Sequence, residues 1–343
     1  MQLELLLRKD YITEGIDTIY FGGGTPSILA LDVLQKLMEA IFTNYTINDH
    51  AEITLEANPD DIDIESLQSW KLAGINRLSI GIQSFDDTEL KWMNRAHSAA
   101  EALKCVQLAQ HAGIENISID LIYGSPLLSD EQWINHLETA IDLQVPHLSC
   151  YALTVENRTA LHHQITQNKT PDTDPEKQSR HFGIMQTALE EAGYIQYEIS
   201  NFCKPGAMSN HNSGYWKGIP YTGIGPSAHS YNGISRQWNI AHNKKYIDAM
   251  IAGNPLIEME RLSVVQQMNE YIMIRLRLIE GINLTEFEFK FGSPAKEYLI
   301  TTAHSLHRNA HFKISENNIF LSPTGKFFAD GIAANLFFDE GWS

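Results

Sequence analysis

Four polar side chains, Glu56, Gln83, Arg95 and Asp120, fall at or near the ends of successive β-rich runs. Glu56 opens Glu56-Ala57-Asn58-Pro59, Gln83 lies in Gly81-Ile82-Gln83-Ser84-Phe85, and Asp120 precedes Ile122-Tyr123-Gly124. A carboxylate at 56 or 120 accepts from an amine or from ribose hydroxyls. The amide at 83 bonds a ribose, and the guanidinium at 95 grips a carboxylate with two prongs. Each alone reads better as a solvated, loop, surface or strand-end side chain, but four at successive strand ends favour a ligand. Ahead of them, Thr18-Ile19-Tyr20-Phe21 runs into Gly22-Gly23-Gly24-Thr25-Pro26-Ser27. Glycines let the chain turn tightly and bring a ligand close to bare N–H and C=O groups.

The elements that must hold these residues follow from periodicity. Strands are expected at residues 18–21, 52–57, 77–82, 117–123, 147–153 and 197–202, and helices at 30–44, 64–73, 99–112, 130–143 and 176–192. Alternating β and α units imply a parallel sheet, whose ligands collect at the C-terminal strand ends. Gly74, Gly113 and Gly193 stand where C-terminal caps belong. Residues 166–177 read as a polar loop. Residues 211–238, rich in Gly, Tyr, Trp and His without periodicity, read as a surface loop system or binding lid. Beyond about residue 245 the pattern is helical (261–280, 284–291, 295–309). A hairpin at 312–322 and a helix at 325–336 follow, a succession resembling a winged helix.

Composition narrows the function. The formal charge of −17 opposes phosphate-backbone binding, so a nucleic-acid partner is not expected. No apolar run is long enough to span a membrane. Residues 1–10 read as an amphipathic helix and not as a signal peptide, so a reducing, cytoplasmic setting is expected. The cysteines, Cys105, Cys150 and Cys203, have neither disulfide nor zinc spacing. Cys105 and Cys150 read as buried small hydrophobes and Cys203 as a loop thiol. Neither a hydrolase nucleophile elbow nor a phosphate-binding loop with its Lys is present.

Taken together, Tyr20–Ser27, Glu56–Pro59, Gly81–Phe85 and Asp120–Gly124 resemble the radical S-adenosylmethionine (SAM) proteins of the oxygen-independent coproporphyrinogen III oxidase group. His211-Asn212-Ser213-Gly214-Tyr215-Trp216 and Tyr221-Thr222-Gly223-Ile224-Gly225-Pro226-Ser227-Ala228-His229-Ser230 are similar to its HemW-type haem chaperone branch. The resemblance covers essentially the whole chain. It implies an α/β fold: a partial (β/α)6 TIM-like barrel over residues 1–245 and a winged-helix-like domain over 246–343. It further implies that Gly23, Gly24 and Thr25 meet the methionyl end of SAM, with Glu56, Gln83, Arg95 and Asp120 on the same ligand.

One part of the family pattern is absent. Its [4Fe-4S] cluster needs C-x-x-x-C-x-x-C upstream of the glycine loop, and no cysteine here has a neighbour at that spacing. The expectation is a truncated form that begins just after the first strand and cysteine loop, assembles no cluster and does not cleave SAM. A sheet edge at 18–21 would then invite self-association. His211 and His229 are candidate haem ligands, because haem iron takes axial histidine; the alternative is that they bond loop backbone. Three functions are weighed, the first favoured by residues 211–216. They are a haem chaperone passing haem to an unidentified acceptor protein, an oxidase converting propionates to vinyls, and an inactive remnant.

Overall fold

The computed structural model describes residues 1–306 and 311–342. By its contacts the chain divides into two compact units. One comprises Tyr20–Leu29 and Ile53–Ser209; the other comprises Met1–Ile19, Ala30–Glu52 and the described part of Asn210–Ser343.

Helix α1 (Gln2–Leu7) precedes strand β1 (Ile16–Phe21), α2 (Leu31–Asn44) and β2 (Ile47–Ala57). Then come α3 (Ile64–Leu72), β3 (Arg77–Gln83), α4 (Asp87–Trp92), α5 (Ala99–His111) and β4 (Asn116–Tyr123). The first half ends with α6 (Asp130–Asp142), β5 (His147–Ala152), α7 (Ala160–Thr166), α8 (Pro175–Glu191), β6 (Ile195–Gln196) and β7 (Asn201–Cys203). The strands form one sheet in the order β1-β2-β3-β4-β5-β7-β6. β2 to β5 pair in parallel, as the alternating units require. The sheet is the curled half-barrel of a partial TIM-like barrel.

Strand alternation divides this sheet into two chemical faces. Leu78, Ile80 and Ile82 of β3, Ile117, Ile119 and Leu121 of β4 and Leu148 of β5 are fully buried. The intervening positions are polar: Arg77 and Ser79, Ser118 and Asp120, His147 and Ser149. Register aligns them across the sheet, Glu56 with Ser79, Ser79 with Ser118, Ser118 with His147, and Asp120 with Ser149. Helices α3, α5 and α8 stop where expected, each followed by a glycine at φ between 76° and 95°. The expected strand at 197–202 is broken. Glu198 accepts from Ser200 N–H and Asn201 Nδ2, folding the chain into a tight turn, so β6 and β7 pair antiparallel and β7 runs antiparallel to β5.

In the other unit, residues expected to be loop are ordered. Helix α9 (Asn210–Lys217) begins the segment, and β8 (His229–Tyr231), β9 (Ser235–Asn239) and β10 (Ile257–Arg261) form an antiparallel sheet in the order β10-β9-β8. Between β9 and β10 lies α10 (Asn243–Ile251). β10 takes the start of the long helix expected at 261–280, so α11 spans Val264–Leu276 under a Ser263–Gln266 capping box. β11 (Ile282–Asn283), α12 (Leu284–Phe291), α13 (Ser293–Leu306), β12 (Phe312–Ile314), β13 (Asn318–Leu321) and α14 (Ala329–Asn335) follow. The three strands pair antiparallel in the order β11-β13-β12. Residues 307–309 of the helix expected at 295–309 lie outside the described residues.

α1 is fixed by a buried ion pair. Glu4 is fully buried and accepts from Gly225 N–H at 2.8 Å, Asn239 Nδ2 and the Tyr246 hydroxyl. Arg8, 3.7 Å from Glu4, donates to Gly223 O, Ser230 Oγ and Gln237 Oε1. Removing one partner of a buried pair leaves the other uncompensated. Glu4→Ala is therefore expected to lower unfolding free energy by about 3–5 kcal/mol in chemical denaturation, and Glu4→Gln by less. Equal midpoints for Glu4→Ala and the parent would contradict this.

Candidate functional site

The glycine turn after β1 is tied to β2 through one carboxylate. Glu56 Oε1 accepts from the Tyr20 hydroxyl at 2.7 Å, and Oε2 accepts from Gly23 N–H at 3.2 Å. Burial, reinforced by the Glu56 charge, raises the Tyr20 phenol far above its ordinary range, so it stays a donor. Gly22 leaves no room for a side chain, since a Cβ there would stand 2.5 Å from Tyr20 Cε1 and 2.9 Å from Glu56 Oε1. Gly23 and Gly24 adopt φ of 77° and 78° with open space where a Cβ would point. Thr25 ends the turn, and Pro26 starts a single 3-10 turn.

At the end of β3 the pairing with β4 shifts register, and Gln83 takes φ 67°. This departure from extended geometry is uncommon for a non-glycine residue and is typical of sites where a strand end is re-aimed. Arg95 Nη2 donates to Asn58 Oδ1 at 3.0 Å and to Gly81 O at 3.1 Å, so the ends of β2 and β3 share one guanidinium. Beside it, His97 Nε2 meets Ile82 O at 3.0 Å, and burial lowers its imidazole. Asp120 lies on the polar face of β4. Burial pushes its carboxyl up to about 6 against the Ser149 hydroxyl, with Glu56 raising it further and Arg77 and Arg95 lowering it.

Glu56, Gln83, Arg95, Asp120 and the glycine turn thus all belong to one compact unit. Glu56 contacts the turn directly, Gln83 and Arg95 both crowd Gly81, and Asp120 couples electrostatically to Glu56 and Arg95. A glycine turn, two carboxylates, an amide and a guanidinium are the donors and acceptors that an ammonium, a carboxylate and a ribose require. The residues fit SAM. Tyr20 and Asn58, to which the sequence assigns no role, orient Glu56 and Arg95.

For a [4Fe-4S] cluster the residues do not fit. Cys105, Cys150 and Cys203 are buried free thiols on α5, β5 and β7. Burial raises all three, Cys105 to about 12 and Cys203 to about 11, so none is a ready thiolate. Cys203, expected in a loop, is instead in a strand. Among the described residues no group of three His, Cys, Asp or Glu could hold a metal ion. This chain, reconstituted anaerobically with iron and sulfide, should retain neither in stoichiometric amount; about four of each per chain would contradict that.

The candidate haem ligands lie on separate elements of the other unit. On α9, His211 Nδ1 meets Thr18 Oγ1 at 3.0 Å, and its ring stands edge-on to Tyr215. Glu52 accepts from the Asn210 and His211 N–H groups at the N-terminus of this helix. On β8, exposed His229 stacks on Trp238, whose Nε1 donates to Glu258 at 3.0 Å. Residues 211–238, expected as a loop system or lid, include a helix and two strands of a sheet.

The half-barrel of parallel strands, with its glycine turn and carboxylate at the first strand ends, is a radical SAM fold by its family match and structural likeness. The Radical SAM superfamily model matches residues 3–140, and the HemN C-terminal domain model matches residues 262–328. The heme chaperone HemW of Bacillus subtilis is 34% identical over 92% of this chain and 84% of its own length. That of Mycobacterium tuberculosis H37Rv is 30% identical over 94% of this chain and 80% of its own. The solved coproporphyrinogen III oxidase HemN of Escherichia coli has the same fold, with TM-score 0.82 over 98% of this chain and 81% of that one at 20% identity. The chain belongs to the HemW family of radical SAM proteins.

Proposed function

We propose that this protein is a haem chaperone that binds haem and SAM and passes haem to an acceptor protein. The observation that carries the reading is the pair of bacterial relatives, each named heme chaperone HemW, whose similarity runs through barrel and C-terminal region alike. The likeness to the oxidase HemN supports the fold and leaves the activity to these relatives. Gly23, Gly24 and Thr25 take the methionyl end of SAM; Glu56, Gln83, Arg95 and Asp120 take its ammonium, ribose and carboxylate. His211 or His229 supplies the haem ligand, with iron and porphyrin as cargo. A cytoplasmic setting agrees with three buried free thiols.

Titration with haemin, followed at the Soret band, tests this reading. Saturation at one haem per chain is expected, and the axial-ligand signature should change in either His211→Ala or His229→Ala. A linear, unsaturable rise would sink the chaperone reading. β1 ends the strand order, so partial self-association through this edge is also part of the proposal. Light scattering giving pure monomer at high concentration would contradict it.

A further inference from the structure

Beneath Asp120, side chains of β4, β5 and the turn after β6 form a buried polar chain. Ser118 Oγ on β4 meets His147 Nδ1 at 2.7 Å and Ser149 Oγ at 3.4 Å, both from β5. His147 Nε2 in turn meets the Tyr197 hydroxyl at 2.7 Å. Ser118, His147, Ser149 and Tyr197 are each at most 3% exposed, a depth at which polar groups persist only when bonded. The register makes the arrangement unavoidable, since Ser118 faces His147 and Asp120 faces Ser149.

His147 stays neutral, because burial first and the Arg77 charge second hold its imidazole well below the ordinary range. A neutral imidazole has one donor and one acceptor nitrogen, so the Ser118 and Tyr197 hydroxyls are locked in complementary roles. Ser149 stands next to Ser118 on this face and in register with Asp120 on the neighbouring strand, where its hydroxyl favours the Asp120 carboxylate. The titratable groups that couple electrostatically to Asp120 are Tyr20 from β1, Glu56 from β2, Arg77 from β3, Cys150 and Tyr151 from β5, and Arg95. Burial and Glu56 favour the neutral acid, whereas Ser149, Arg77 and Arg95 favour the carboxylate. Ser149 is the uncharged member of the second group, so it can be removed without altering the net charge of the site.

We propose that Ser149, held by Ser118 and His147, is a positioning residue that keeps the Asp120 carboxyl ionised and in place, so that this network sets the acid limit of SAM binding. The proposal rests on the SAM reading of Asp120, but its core can be tested without ligand. Carbon-13 NMR of aspartate carboxyls in the ligand-free protein, with Asp120 assigned through Asp120→Asn, reads the titration directly. Ser149→Ala should move the Asp120 midpoint up by about one pH unit, a tenfold change in proton affinity on losing the neighbouring hydroxyl. Ser118→Ala should move it the same way by less, and Ser149→Thr, which restores the hydroxyl, should bring it back. An unmoved midpoint in Ser149→Ala overturns the proposal. Calorimetric SAM titrations across pH form the second arm, where the pH of half-maximal affinity should rise in step in Ser149→Ala. An NMR shift that SAM affinity ignores overturns the assignment of Asp120 to SAM and leaves the Ser149 contact standing.

Discussion

At pH 7.5, Asp120→Asn is expected to be more stable than the parent and to bind SAM about 10- to 100-fold more weakly, the loss of a charge-assisted bond. The two effects have one cause. Asp120 lies inside the half-barrel, and burial pushes its carboxyl up to about 6 from an ordinary 3.8. Its folded pKa is raised, so the folded state binds the proton more tightly than the unfolded chain does. The associated stability is present below about pH 4 and is lost as pH rises through about 6. At pH 7.5 the ionised carboxylate therefore carries a penalty of about 1–3 kcal/mol, which a neutral amide of the same shape removes. Urea denaturation at pH 7.5 and pH 4 checks the sign: the advantage of Asp120→Asn should be large at the first and nearly vanish at the second. An advantage that is equal at both, or a destabilised variant with unchanged SAM affinity, would contradict the account.

Gly22→Ala should weaken SAM binding by about 10- to 100-fold and lower unfolding free energy by roughly 1.5–3 kcal/mol. The added Cβ would stand 2.5 Å from the Tyr20 ring and 2.9 Å from Glu56 Oε1. Relieving that overlap moves Tyr20 or Glu56 and breaks the bond between them. With it goes the carboxylate that holds Gly23 N–H. A charge-assisted bond of this kind is worth roughly 1.5–3 kcal/mol, which sets the expected loss. Glu56→Ala should cost a similar amount, and the double variant should be little worse than either single one, because both act on one contact. Additive losses measured by calorimetry would show that Gly22 and Glu56 act separately.

Much of the barrel was legible because the strands carry strict period-2 patterning. In Arg77-Leu78-Ser79-Ile80 and Ser118-Ile119-Asp120-Leu121 the apolar positions are buried and the polar ones share the opposite face. The same alternation would have picked out Ser118, His147 and Ser149, which sequence reading passed over because it sought ligand groups at strand ends and not a polar lining below them. The strand expected at 197–202 failed for a local reason: Glu198 folds back to bond its own backbone, a competition that β-propensity does not register. Residues 211–238 hid their order because the partners that fix them are distant in sequence. Glu52 caps α9, and Glu4 and Arg8 bond the Gly223–Ser230 stretch across more than 200 positions. No local window contains both halves of such a contact.

The most direct test of the chaperone reading follows haem out of the protein. Haem-loaded protein, freed of excess haem by gel filtration, is mixed with apomyoglobin, and the Soret band is recorded until it stops changing. The account predicts about one haem per chain before mixing and complete appearance of the holomyoglobin spectrum afterwards. Protein that elutes without haem, or that keeps its haem against excess apomyoglobin, would contradict it.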